Sequence, residues 1–199
     1  MTRTLQLGIL GSGRGSNFQA IHRAILSAHL PARIALVASD LAQAPILDYA
    51  RSHQLPTYAC PPSRFKTKLE PELEQTLAAQ LQQSGAELIV LAGFMRVIKE
   101  PLLRAFPGRI LNIHPSLLPS FKGLAAWKQA LDARVDITGC TVHWVDDSLD
   151  GGPIIRQAQV PVLPQDSPES LHQRIQEQEH LLLPSVLHDI ATGKIPLPE

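Results

Sequence analysis

Short apolar runs bounded by glycine or proline alternate with stretches of helical periodicity along the whole chain, and this alternation constrains the fold more than any other feature. LQLGIL from Leu5 is closed by Gly11, and from about Ser16 the residues Phe18, Ile21, Ala24, Ile25 and Ala28 recur at helical spacing. RIALVAS from Arg33 predicts a second strand, followed by a helix through Ile46 and Ala50. A short strand near 56–59 precedes a helix predicted over 68–84, and ELIVLAG from Glu87 reads as a fully buried strand. RILNIH from Arg109, TGCTVHWV from Thr138 and PIIRQAQVPV from Pro153 are further extended segments. The last helix opens with Ser167 as N-cap, Pro168 in the first turn and Glu169 beside the positive end of the dipole. It would carry Leu171, Ile175, Leu182, Val186 and Ile190 to the core, and Pro184 should kink or divide it. Strands alternating with helices imply βαβ units, hence an α/β fold with a mostly parallel twisted sheet flanked by helices. The length, 199 residues, suits one domain spanning 1–199, and the scattered prolines mark no linker.

Composition narrows the function classes. Lysine plus arginine equal aspartate plus glutamate at 18 each, so the basic excess that a long nucleic acid requires is missing. No apolar run reaches the roughly 20 residues of a membrane helix. Met1-Thr-Arg-Thr leads directly into the first strand, so no signal peptide is expected. Cys60 and Cys140 are far apart and form no CxxC pair, which suits reduced thiols in a cytoplasmic protein. The eight histidines show no paired-ligand spacing, and no metal is expected.

In parallel sheets, ligands bind beyond the carboxyl ends of the strands. After the first strand comes Gly11-Ser12-Gly13-Arg14-Gly15-Ser16-Asn17, where glycines permit close backbone approach and a helix start offers N–H groups to a phosphate. Ser16 replaces the third glycine of the dinucleotide fingerprint, and no Gly-Lys-Ser/Thr follows as in a P-loop. A tight structural turn, with Asn17 as a helix N-cap, explains the same residues. In Leu111-Asn112-Ile113-His114-Pro115 the alternation of a strand sends Asn112 and His114 to one face, an amide donor and an imidazole suited to one reacting carbonyl. The turn Asp146-Asp147-Ser148-Leu149-Asp150-Gly151-Gly152 follows the strand of His143. An aspartate brought beside His114 would favour its charged form and orient its ring, and spacing does not say which aspartate does so. His143 shares a face with Thr141 and Val145, which places it in the core or behind the reacting groups.

GSGRGSN, VLAGFMRVI from Val90, ILNIHPSLLPSFKG from Ile110, DDSLDGGPII from Asp146 and QEQEH from Gln176 together closely resemble the phosphoribosylglycinamide formyltransferase family of purine biosynthesis. The match covers essentially the whole chain in order. NIHPSLLP with the downstream Asp150-Gly151-Gly152 is highly specific for formyltetrahydrofolate-dependent enzymes, and GRGSN narrows it to the branch that binds a phosphoribosyl substrate. The resemblance implies a formyltransferase-type, Rossmann-like fold with a phosphate-binding half over about 1–107 and a catalytic and folate half over about 108–199. It implies transfer of the formyl group of 10-formyltetrahydrofolate, a co-substrate, to the amine of glycinamide ribonucleotide through a tetrahedral intermediate. Asn112, His114 and Asp150 would be the catalytic trio. Gly15, Ser16 and Asn17 would cradle the phosphate, while Gln176 and Glu179, three apart on one helical face, would meet the ribose hydroxyls. Gly93 and Met95 would line the substrate crevice. Folate would be held by Lys68, Met95, Arg96, Val97, Ile98 and Asn112, with Leu91, Phe94, Val97 and Ile98 as the apolar wall. The Leu118–Pro119 bond is expected to be cis.

The resemblance implies small-molecule partners alone, no metal, and a monomer or homodimer in the cytoplasm. One departure stands out: relatives often carry a histidine within a few positions after Phe121-Lys122-Gly123, where this chain has Leu124-Ala125-Ala126-Trp127. The sibling chemistries, formyltetrahydrofolate hydrolysis and formylation of initiator methionyl-tRNA, normally need an additional domain that 199 residues leave no room for. A folate- or nucleotide-binding module without activity is the alternative of a different class, and the intact trio argues against it.

Overall fold

The computed structural model describes residues 4–197. The strands are β1 (Leu5–Leu10), β2 (Ala32–Ser39), β3 (Thr57–Ala59), β4 (Leu88–Leu91), β5 (Ile110–His114), β6 (Ile137–Trp144) and β7 (Ile154–Pro161). The helices are α1 (Ser16–Leu26), α2 (Pro45–Ser52), α3 (Pro71–Gln83), α4 (Glu100–Ala105), α5 (Ala126–Asp132) and α6 (Pro168–Ala191). All seven strands join one sheet in the order β3-β2-β1-β4-β5-β6-β7. Pairing is parallel from β3 to β5, and β6 and β7 are added antiparallel. The chain winds from β1 outward to β3, then returns to lay β4 on the other side of β1. The crevice beyond β1 and β4 is therefore the switch point at which open α/β sheets receive ligands.

Side-chain alternation builds a core on each face. Leu7, Ile9, Leu88, Val90, Leu111, Ile113, Cys140 and Val142 pack with residues of α1, α2 and α6. Leu10, Ile89, Leu91 and Ile110 pack with α3 and α4. Each fully buried aliphatic chain contributes roughly 1.5–3 kcal/mol, so the strand ends are firm attachment points. Ile110 lies on the α3/α4 face, and the period of two puts Asn112 and His114 on that same face, just past the apolar floor.

Several sequence expectations are corrected. The helix predicted over 68–84 begins only at Pro71, with Glu70 extended as its N-cap, because proline disfavours the helical conformation for the residue before it. Residues 61–70, including Lys68, are irregular. Pro184 does not divide α6, which runs unbroken for 24 residues. Leu182, Leu183, Val186 and Leu187 are buried around it, and their burial outweighs the ~3 kcal/mol that an interior proline costs. Asn17 is not the N-cap of α1; that position is Gly15. The short α4 and α5 leave no signal in the sequence, since six and seven residues carry too little periodicity to register. Ser167 does cap α6, accepting from the Ser170 backbone N–H.

Candidate active site

The turn after β6 folds back across the end of β5 and brings Asp150 to His114. Gly152 makes this possible, because a Cβ there would collide with the Trp144 carbonyl. His114 is 5% exposed, and its Nδ1 lies 3.5 Å from Asp150 Oδ2. Its Nε2 is 2.9 Å from the Phe121 carbonyl, which can only accept, so Nε2 carries a proton. Both ring nitrogens thus face acceptors. Asp150 Oδ2 is itself held by the Gly123 N–H at 2.8 Å. The other carboxylates of the turn are used differently. Asp146 accepts from the backbone N–H and hydroxyl of Ser148, which hold its carboxyl below the usual range, and Asp147 is exposed.

Across the antiparallel pair, Asn112 stands opposite His143 and His114 opposite Thr141. The Asn112 amide nitrogen lies 3.1 Å from His143 Nε2. Thr141 donates to the Ser116 carbonyl at 2.7 Å and accepts from the Leu118 N–H at 3.0 Å. It thereby anchors the turn that presents the Phe121 carbonyl to His114. The Leu118–Pro119 bond in this turn is cis, as expected.

Gly15 has φ +70, and a Cβ there would come within 2.6 Å of Ile46 Cγ1, so both backbone and packing demand glycine. It caps α1, whose first N–H groups, from Ser16 onward, have no acceptor within the helix. The Asn17 side chain instead spans to α6, donating to Glu179 Oε2 at 2.8 Å. Glu179 is 5% exposed, and burial pushes its carboxyl up to about 7. Gln176 lies one helical turn before it, half-buried. The glycine loop, the predicted ribose contacts and the α1 start are therefore one continuous patch.

A second network ties that loop to the residues after β4. The Ser12 N–H donates to the Gly93 carbonyl at 3.0 Å, and its hydroxyl accepts from the Met95 N–H at 2.9 Å. Ser12 also donates to Asp40, which is paired with Arg96 at 2.6 Å. Arg96 donates further to the Phe65 carbonyl, and the Val97 N–H to the Thr67 carbonyl. Segment 65–68 is thus laid along the crevice, with Lys68 exposed at its end and its ammonium 4.8 Å from the Phe65 ring centre. The Arg96 side chain is therefore engaged within the protein, by Asp40 and the Phe65 carbonyl. Met95 is 57% exposed at the crevice, while Ile98 is buried in the α3/α4 core.

Residue patterning did not single out Ser12, Asp40 or the Phe121 and Gly123 backbone groups. The first two sit just past the ends of β1 and β2, so the strand-end rule was the available signal. Both cysteines are buried, and burial pushes their thiols up to about 12, far from nucleophilic. Among the described residues no helix is long and apolar enough to cross a membrane, and no three His, Cys, Asp or Glu side chains gather as a metal site.

Comparison with known proteins agrees with this geometry. Residues 5–187 match the formyl transferase family. The phosphoribosylglycinamide formyltransferase of Bacillus subtilis is 40% identical over 93% of this chain and 94% of its own length. That of Haemophilus influenzae is 38% identical over 96% and 90%. The crystal structure of glycinamide ribonucleotide transformylase 1 from Symbiobacterium toebii superposes with a TM-score of 0.92 at 42% identity, covering 98% of this chain and 91% of that one. With its sheet order, its strand-end chemistry and its full-length relatives in agreement, this chain belongs to the formyl transferase family.

Proposed function

We propose that this chain transfers the formyl group of 10-formyltetrahydrofolate to the amine of 5'-phosphoribosylglycinamide, a step of purine biosynthesis. The observation that carries the reading is the convergence of Asn112, His114 and Asp150 from two separate segments, with His114 and Asp150 3.5 Å apart. In this reading the amine lone pair attacks the formyl carbon, and the carbonyl electrons move onto oxygen. An N–H of Asn112 and the Nε2–H of His114 donate to that oxyanion. The Nε2–H now given to Phe121 is handed to the formyl oxygen as substrate enters. Asp150 balances the imidazolium charge and holds a water that relays the ammonium proton to the folate nitrogen. The oxyanion's electron pair re-forms the carbonyl as the bond from carbon to that protonated nitrogen breaks, releasing tetrahydrofolate and the N-formylated amine.

The α1 start with Gly15, Ser16 and Asn17 receives the phosphate, and Gln176 and Glu179 meet the ribose. The folate lies along Phe94 and the exposed Met95, with buried Leu91 and Ile98 behind them, its pteridine edge read by backbone groups of 95–98 and its acidic tail near Lys68. Residues 1–107 in this reading supply phosphate recognition and 108–199 the chemistry, joined by the Asn17–Glu179 bond. The protein works in the cytoplasm as a monomer or homodimer and uses no metal. Incubation with 10-formyltetrahydrofolate tests the reading: loss of the formyl group should depend on added glycinamide ribonucleotide. Loss at the same rate without it would mean hydrolysis, and no loss would mean binding alone.

A further inference from the structure

We infer that His143 is a positioning residue for formyl transfer, whose Nε2 lone pair fixes which end of the Asn112 amide is turned to the reacting carbonyl. The inference rests on the function proposed above. The ring is 2% exposed, so its nitrogens must be satisfied by protein. Nδ1 lies 2.8 Å from the Trp144 carbonyl, which only accepts, so Nδ1 bears the proton. In the neutral ring Nε2 is then a bare acceptor, and the group facing it at 3.1 Å is the Asn112 amide nitrogen.

That pairing selects one of two amide orientations. With the amide reversed, its oxygen would meet the Nε2 lone pair, and two acceptors would be left facing each other in a buried place. In the orientation held by His143, one N–H of Asn112 is bound and the second remains for an oxyanion. Without His143 the two orientations compete, and in the wrong one a carbonyl oxygen opposes the developing negative charge.

The electrical surroundings keep the ring in the required form. Burial holds His143 below the ordinary histidine value, and the neighbouring His114 on β5 acts in the same direction. The Trp144 carbonyl, Asp150 and Asp146 oppose this, Asp150 Oδ1 lying 4.0 Å from Nε2. A protonated Nε2 would donate rather than accept and would draw the amide oxygen round, so acid should disable the site through Asn112.

The test is a double-mutant cycle of His143→Leu with Asn112→Ala, assayed with glycinamide ribonucleotide and 10-formyltetrahydrofolate. Alone, His143→Leu should lower kcat by about 10–100-fold, short of the roughly 100–1,000-fold that outright loss of an oxyanion donor costs because the correct amide orientation stays partly populated, with both KM values nearly unchanged. His143→Gln, whose side-chain oxygen also accepts, should recover much of the loss. In the Asn112→Ala background, His143→Leu should cost less than about 2-fold, because its only route of action has gone. A full loss in that background, or an unchanged kcat in the single variant, would overturn the inference. Nitrogen NMR of the wild-type protein gives a readout independent of turnover and of whether the Leu variant folds. It should show Nδ1 protonated and Nε2 bare near neutral pH; a protonated Nε2 would refute the assignment. A wild-type protein with that tautomer but no formyl transfer to the amine would instead sink the proposed function.

Discussion

The glycine loop and the Asn–His–Asp cluster sit at the ends of nearby strands, yet they are built from opposite materials. The loop is backbone: Gly15 in the left-handed region, pressed on Ile46, opens α1 so that its first N–H groups are free of the helix ladder. The cluster is side chain, and each member is held by a partner: Asn112 by His143, His114 by the Phe121 carbonyl, Asp150 by the Gly123 N–H. A backbone site should tolerate truncation of its side chains and fail when a Cβ is added. A side-chain site should do the reverse, failing on the change of a single atom.

The largest effect is expected in the cluster. His114→Ala or Asp150→Asn should each lower kcat by about 100-fold or more, the scale of lost acid–base and oxyanion assistance. KM for both substrates should stay within a few-fold in steady-state assays. Gly15→Val should do the opposite, raising KM for glycinamide ribonucleotide by roughly 10-fold or more while sparing kcat, since binding is lost but not chemistry. A Gly15→Val enzyme with normal KM would place the phosphate elsewhere.

Glu179, on α6, holds the glycine-loop side through Asn17 and should reveal itself in stability. Its carboxyl is raised to about 7 in the fold, against an ordinary 4.5. Between those values the folded chain binds more protons than the unfolded one, so this group's contribution falls as pH rises from about 4.5 to 7 and is then flat. Glu179→Gln keeps an acceptor for Asn17 and removes the charge. It should stabilise the protein at pH 8 by roughly 1–3 kcal/mol, measured by denaturant melts, and have little effect at pH 4.5. Equal stability of the two proteins at pH 8 would show that the carboxyl is not strained by burial. The smallest effect belongs to Ser16→Ala: under about 3-fold in KM, as for a side chain peripheral to the contacts that matter.

The same division explains what could be read from the residues. Strand periodicity put Asn112 and His114 on one face because alternation is a local property. The position of Gly15 was legible because left-handed backbone favours one residue type. Assigning Asp150 rather than Asp146 or Asp147 to His114 needed the family resemblance, since only the folded turn distinguishes three nearby carboxylates. The Asn17–Glu179 bond joins residues 162 positions apart, which no local pattern encodes. Asn17 was an equally good cap in sequence, and the tertiary partner prevailed. Pro184 fails to divide α6 for a related reason: local propensity argues for a break, and burial along the helix overrides it.

If His114 and Asp150 act as one unit in formyl transfer, a double-mutant cycle on kcat will reveal it. His114→Ala, Asp150→Asn and the double variant would be compared with wild type under saturating glycinamide ribonucleotide and 10-formyltetrahydrofolate. The double variant should lose little more activity than the worse single variant, because removing either member disables the pair. Losses that multiply, so that the double variant falls to the product of the single effects, would show that Asp150 is a residue of the turn acting independently of His114, and would contradict the account.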